Sequence, residues 1–212
     1  MKSDIMKIWD LPTRIYHWLQ AVLFIALLES GFSGNGPHIQ IGLVLFTLLM
    51  WRICWGLIGS TTSRFQQFLA SPSTVVRYVK TGKSNQIGHN PAGGWMAFLM
   101  IFALLFQCLS GMAIAGQFDG LAFAENVLAD DVFFVIESMH MICARLLPAL
   151  IALHVGAIVF YKYKGISLTW AMVTGIQKHI NTNVTVYFAS NIRALVVLAI
   201  AISVTIAIVA FA

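Results

Sequence analysis

Five stretches of the chain are apolar with almost no interruption by charge, at about 15–33, 39–59, 92–117, 132–161 and 192–212. Each is close to the roughly 20 residues a helix needs to cross a bilayer core of about 30 Å, so the pattern predicts five transmembrane helices. The glycine-rich turn GFSGNGP joins the first two as an antiparallel hairpin, and Asn90-Pro91 marks the third as an N-cap followed by proline at the first helical position. Between spans two and three, Phe65, Phe68, Leu69, Val75, Val76 and Val79 recur at helical spacing beside Arg64, Arg77 and Lys80, broken at Ser71-Pro72. That spacing predicts two short amphipathic helices lying on the membrane surface, and Ile166–Ile176 predicts another. The expected fold is all-α: a four-helix membrane domain over residues 1–165, a connector over 166–191, and a fifth transmembrane helix over 192–212.

Composition agrees with this pattern. Only 10% of residues are charged, against about 25% in soluble domains. The net charge of +5 is spread over loops and forms no basic surface for nucleic acid. Lys and Arg gather at the N-terminus (Lys2, Lys7, Arg14), after span two (Arg64, Arg77, Lys80, Lys83) and after span four (Lys162, Lys164, Lys178, Arg193). The loop after span three carries Asp119, Glu125, Asp130 and Asp131 with no base. The positive-inside rule therefore predicts a cytoplasmic N-terminus and, with five spans, a C-terminus on the outer side. The first apolar run has no small-residue cleavage site and is expected to be a retained span. Cys54, Cys108 and Cys143 form neither a CxxC pair nor a CxxCH attachment site and read as small buried hydrophobes.

Candidate chemistry rests on histidine. His89 and His179 fall in polar cytoplasmic segments and read as solvated, whereas His17, His38, His140 and His154 lie within or at the ends of apolar spans, where an ionisable residue is costly and signals function. His140 and His154 are fourteen residues apart on span four, close to four turns, so they share a face and differ in depth by about 21 Å. His17 lies about 24 Å below the tip of the first hairpin and His38 only about 4 Å below it. The two depth differences match, which pairs His38 with His140 at the outer level and His17 with His154 at the inner level. Zinc prefers three or four protein ligands in a tetrahedron, and two histidines per level do not supply them. Haem brings four nitrogens of its own and needs two axial imidazoles, so the pattern predicts two noncovalent haem b groups. Gly42, Gly111 and Gly156 are candidate positions of close approach. Arg14, one turn before His17, and Arg145, inside span four, are the expected partners of the inner and outer propionates. Arg52 is expected to snorkel to the cytoplasmic interface, and Glu137 to face water. The fifth span has small and β-branched residues, Ala199, Ala201, Ser203 and Ala207 among them, that suit packing on the bundle or on a partner helix alike.

In its WDLPTRIYHW segment around His17, HIQIG at His38, GHNPAGGW before span three, H-x13-H from His140 to His154, and TWAMVTG at 169–175, the chain resembles the bacterial cytochrome b561 family, including the b-type cytochrome subunits of nickel hydrogenases. The resemblance implies a four-helix bundle with two haem b groups, His17, His38, His140 and His154 standing at the family's ligand positions. It also implies electron transfer between a quinone in the lipid and a redox protein, of the cytochrome c or hydrogenase kind, at the periplasmic surface. Arg145 and the final span depart from the family pattern. An electron-transfer subunit is favoured over a self-contained superoxide:quinone oxidoreductase, and both over a haem-free scaffold or transporter.

Overall fold

The computed structural model describes residues 5–84, 86–121, 129–178 and 185–212. Five long helices dominate it: α1 (Leu11–Ser33), α2 (His38–Ile58), α5 (Pro91–Ile114), α6 (Asp130–Tyr163) and α8 (Asn191–Ala210). All five are long and apolar enough to span a membrane. Shorter elements fill one end: strand β1 (Ile5–Lys7), the single turn α3 (Phe65–Phe68), α4 (Pro72–Thr81), α7 (Leu168–Thr174) and strand β2 (Ile176–Lys178).

The helix starts follow local rules. Asp10 caps α1 by accepting from the Thr13 amide at 2.6 Å, Ser71 caps α4, and Asn90 caps α5 by accepting from the Gly93 amide at 2.8 Å; all three helices open with proline in the first turn. Gly34, at φ +68°, ends α1 in the left-handed conformation and lets the chain turn directly into α2.

Helix α2 is central, packed on α1, α5 and α8. The principal neighbour of α6 is α5, while α1 and α2 face α6 across a cleft. Leu45, Leu49, Leu104, Cys108 and Leu147 form the main core around that cleft. Most other large side chains of α6, such as Phe134, Leu146, Leu153 and Phe160, are exposed, as expected of a surface bathed in lipid.

At the basic end β1 pairs antiparallel with β2, Met6 opposite Gln177, so the N-terminal segment and the segment after α6 lie on one side of the bundle. Gly120, after α5, backs onto the Phe211 carbonyl at the end of α8 on the other side. The expected interfacial helix over Ile166–Ile176 is thus one short helix followed by a strand. Its backbone is tied to the N-terminus by pairing that no periodicity announces.

Two further expectations change. The surface helix expected around Phe65 is only one turn, and Phe68 points into the protein, 1% exposed. In α4, by contrast, Val76 and Val79 are exposed beside Arg77 and Lys80. The Tyr78 hydroxyl meets that of Tyr161, which also accepts from Asn90 Nδ2 at 3.0 Å, so α4 is tied to the basic end of α6.

The fifth span packs on α2. Ala194, Val197, Ala201 and Thr205 form its buried stripe, whereas Ala199, Ser203 and Ala207 are exposed. Trp51 Nε1 donates to the Ala194 carbonyl at 3.0 Å, and the Thr47 and Thr205 hydroxyls lie 2.8 Å apart. Small residues at helical spacing let the two backbones approach, and each polar contact then closes on a neighbour.

Candidate functional site

At the acidic end, His38 and His140 line one cavity of about 380 Å³ between α1, α2, α5 and α6. The volume falls within the range of about 300–1,000 Å³ common to cofactor pockets. Its walls are apolar, with Phe24, Leu28, Leu45, Leu104, Met112 and Leu147 among them.

The two imidazoles are held by matching devices. Ser30 Oγ lies 2.9 Å from His38 Nδ1, and Ser110 Oγ lies 2.9 Å from His140 Nδ1. Ser30 donates its own proton to the Ala26 carbonyl at 2.8 Å, and Ser110 to the Gln107 carbonyl at 3.1 Å. With the hydroxyl protons so placed, each serine accepts from Nδ1–H, and each ring is left in the tautomer with an unprotonated Nε2. At His140 that lone pair accepts from Gln107 Nε2 at 2.9 Å.

A glycine follows each serine for a steric reason. A methyl group on Gly31 would lie 3.0 Å from His38 Cε1, and one on Gly111 would lie 3.0 Å from His140 Cε1. The Ser-Gly pairs of α1 and α5 thus seat one ring each, through a hydroxyl and a bare backbone.

At the basic end the histidines are placed differently. His17 and His154 are electrostatic neighbours, and His17 Nδ1 is buried with no protein partner. His89 joins them. Its ring lies edge-on to Trp9 at 4.9 Å and tilted against Phe68 at 4.8 Å, and its buried Nδ1 also lacks a partner. Burial, with Arg52, His154 and His17 nearby, pushes its imidazole down to about 3, so His89 is neutral. The expectation of a solvated His89 fails because the segment before α5 folds under α3 instead of into water. His179 lies outside the described residues.

Arg52 is a second correction. Instead of snorkelling to the interface it is buried, 4% exposed, with its guanidinium 5.2 Å from the Phe65 ring centre and 5.8 Å from that of Phe68. The one-turn helix α3 closes over it and blocks the route to water.

Arg14 donates through Nη1 to the Val173 carbonyl at 2.8 Å, and its Nε is buried without a partner. Arg145 is exposed on α6, next to Ala144 of the cavity wall but not itself in that wall, and Glu137 is exposed one turn before His140. Gly42 faces the cavity with nothing within 4 Å of where a side chain would begin. Gly156 is equally open. The three cysteines are free, and Cys108 lines the cavity.

These features fit haem b. The cavity has apolar walls, open space over Gly42, and two imidazoles whose Nε2 atoms are the unprotonated ones, open at His38 and held by Gln107 at His140, where that amide would give way to a metal. The basic end has buried nitrogens on histidine and arginine that the protein leaves unpaired. Sequence reasoning passed over Ser30, Ser110 and Gln107. The signal present was the repeated Ser-Gly dipeptide at the outer ends of spans one and three, but which ring each serine meets depends on helix packing.

Comparison with known proteins agrees. The family model described as prokaryotic cytochrome b561 matches residues 8–175. A probable Ni/Fe-hydrogenase B-type cytochrome subunit of Rhizobium leguminosarum bv. viciae is 22% identical over 143 residues, covering 52% of this chain and 59% of the relative. Its counterpart in Cupriavidus necator is 21% identical over 142 residues, covering 52% and 58%. In Escherichia coli K12 a probable Ni/Fe-hydrogenase 1 B-type cytochrome subunit is 21% identical over 141 residues, covering 52% and 60%. The chain therefore spans about three fifths of the length of these relatives. No solved structure matches it. With its five apolar helices, its histidine-lined cavity and a family match over residues 8–175, the chain belongs to the prokaryotic cytochrome b561 family, as a multi-pass membrane cytochrome of the b type.

Proposed function

We propose that this b-type cytochrome is a di-haem electron-transfer subunit, with His38 and His140 as axial ligands of one haem and His17 and His154 as those of the other. The observation that carries this reading is the cavity shared by His38 and His140, each ring presenting Nε2 and each fixed at Nδ1 by a serine. Bound haem supplies a reversible one-electron iron couple.

The chain's own residues do the rest. Ser30 and Ser110 hold the two outer rings in one tautomer, and the apolar cavity walls exclude water. The spacing of His140 and His154 along α6 sets the two levels about 21 Å apart, so that two stations divide a bilayer core of about 30 Å. The distribution of basic residues supports a cytoplasmic N-terminus in a bacterial inner membrane and a periplasmic C-terminus. A quinone is assigned to the basic end, beside His17, His89 and the amphipathic α4. A redox protein is assigned to the acidic end; the names of the relatives favour a hydrogenase, and a cytochrome c suits the acidic loop.

The test is a pyridine haemochrome assay with a reduced-minus-oxidised spectrum of the purified chain. Two haem b per chain are expected; one or none overturns the reading. A redox protein copurifying in mild detergent supports the subunit role, whereas quinone reduction by superoxide with the isolated chain replaces it with a self-contained oxidoreductase.

A further inference from the structure

Arginine is protonated at any accessible pH, and a buried guanidinium without hydrogen-bonded counter-charge is costly. Arg52 is such a group: 4% exposed, walled by Phe65 and Phe68, with Nη1 buried and unpartnered. Aromatic faces offset part of the desolvation but accept no N–H bond of full strength.

The nearest acid does not complete the site. Asp10 lies close enough to act on Arg52 through space, but its carboxylate already accepts from the Thr13 amide at 2.6 Å, Trp55 Nε1 at 3.1 Å and the Ser63 hydroxyl at 3.5 Å. The other neighbours offer donors. Tyr16, 6% exposed and next in the chain to His17, acts on Arg52 and has a buried hydroxyl without a partner. His89 shares the Phe68 ring with Arg52 and has a buried, unpartnered Nδ1. A guanidinium on α2, a phenol on α1 and an imidazole in the segment before α5 thus have buried atoms with unmet hydrogen-bonding capacity in one region beside His17 and His154.

We infer that Arg52, with Tyr16 and His89, is a carboxylate-binding subsite, and that its occupant is a propionate of the inner haem. A carboxylate meets each requirement: it neutralises the guanidinium, accepts two parallel N–H bonds from it, and has lone pairs left for a phenol or an imidazole N–H. Arg14, the expected inner partner, is half taken by the Val173 carbonyl and has Nε alone to spare on the buried side. Arg52 is therefore the main counter-charge and Arg14 a secondary one. This rests on the di-haem reading above.

The test uses the holoprotein carrying haem with 13C-labelled propionates, in wild type and in Arg52→Gln, Arg52→Lys and Tyr16→Phe. Redox-difference infrared spectra and the midpoint potential of each haem are recorded. Loss of a buried cation favours the oxidised haem, so Arg52→Gln is expected to shift one haem at least tenfold toward oxidation, about 59 mV for a one-electron couple, and leave the other in place. The labelled carboxylate bands should move in the same variant, with Arg52→Lys intermediate. Where Arg52→Gln loses its inner haem, the bands of Tyr16→Phe and Arg52→Lys decide instead. Unmoved bands and unmoved potentials in a two-haem variant overturn the subsite. A movement of the Asp10 carboxylate alone assigns the charge pairing to the protein and also overturns it. A wild type with fewer than two haems overturns the di-haem reading first, which keeps the two failures distinct.

Discussion

The two ends of the bundle hold histidines in opposite ways. At the acidic end each ring is positioned by the protein alone: a serine at 2.9 Å on Nδ1, a glycine against the ring, and open space beyond. At the basic end His17 and His89 are half-buried and each has a buried Nδ1 without a partner, beside a buried arginine and a buried tyrosine that also have unpartnered polar atoms. Unpaired buried polar atoms are rare in finished protein interiors because each costs about 1–3 kcal/mol. The rings of the acidic end are thus preorganised, and on the di-haem proposal those of the basic end are completed by what they bind. Loss of ligand should accordingly loosen the basic end more than the acidic one.

Removing the ligands themselves should break this comparison most directly. His140→Ala is expected to abolish the outer haem and His154→Ala the inner one, each leaving one haem b per chain by pyridine haemochrome. Loss of the same spectral component in both variants would contradict the two levels. A smaller effect is expected from filling the glycine seats. Gly111→Ala sets a methyl group 3.0 Å from His140 Cε1, and Gly31→Ala does the same at His38. Overpacking of this kind costs about 1–3 kcal/mol, read as a lower melting temperature and weaker retention of the outer haem, while the inner component keeps its spectrum.

Smaller again is the serine effect. Ser30→Ala or Ser110→Ala removes an acceptor from Nδ1–H, making the imidazole a weaker donor to iron. The outer haem should shift to higher potential in a redox titration, with a stability loss of about 0.5–1.5 kcal/mol, and the inner haem should not follow. A shift in both would show that the two ends are not separately held. Least of all, Thr205→Val breaks the hydroxyl pair with Thr47 between α2 and α8 and should cost about 0.6 kcal/mol, measured as a slightly lower melting temperature with both potentials unchanged.

Much of this organisation was legible in the chain. Periodicity and the two Pro-containing caps at Asn90 and Ser71 marked the long helices and the break before α4 to within a few residues. The fourteen-residue spacing on α6 needed no tertiary information, because one continuous helix carries both histidines. Arg52 and His89 depart from expectation for the same reason: His89 lies in a polar segment and Arg52 near the end of an apolar span, and what covers them, the Phe65–Phe68 turn and Trp9, comes from elsewhere in the chain.

Sequence by itself determined the membrane setting, the number of spans, the family and the four intramembrane histidines, since apolar length and helical rise are properties of single segments. Only the tertiary structure decided that Ser30 and Ser110 orient the outer rings, that α8 lies on α2, and that Arg52 is enclosed with Tyr16 and His89. Those are contacts between segments far apart in the chain, and burial, unlike hydropathy, belongs to no residue until its neighbours are in place.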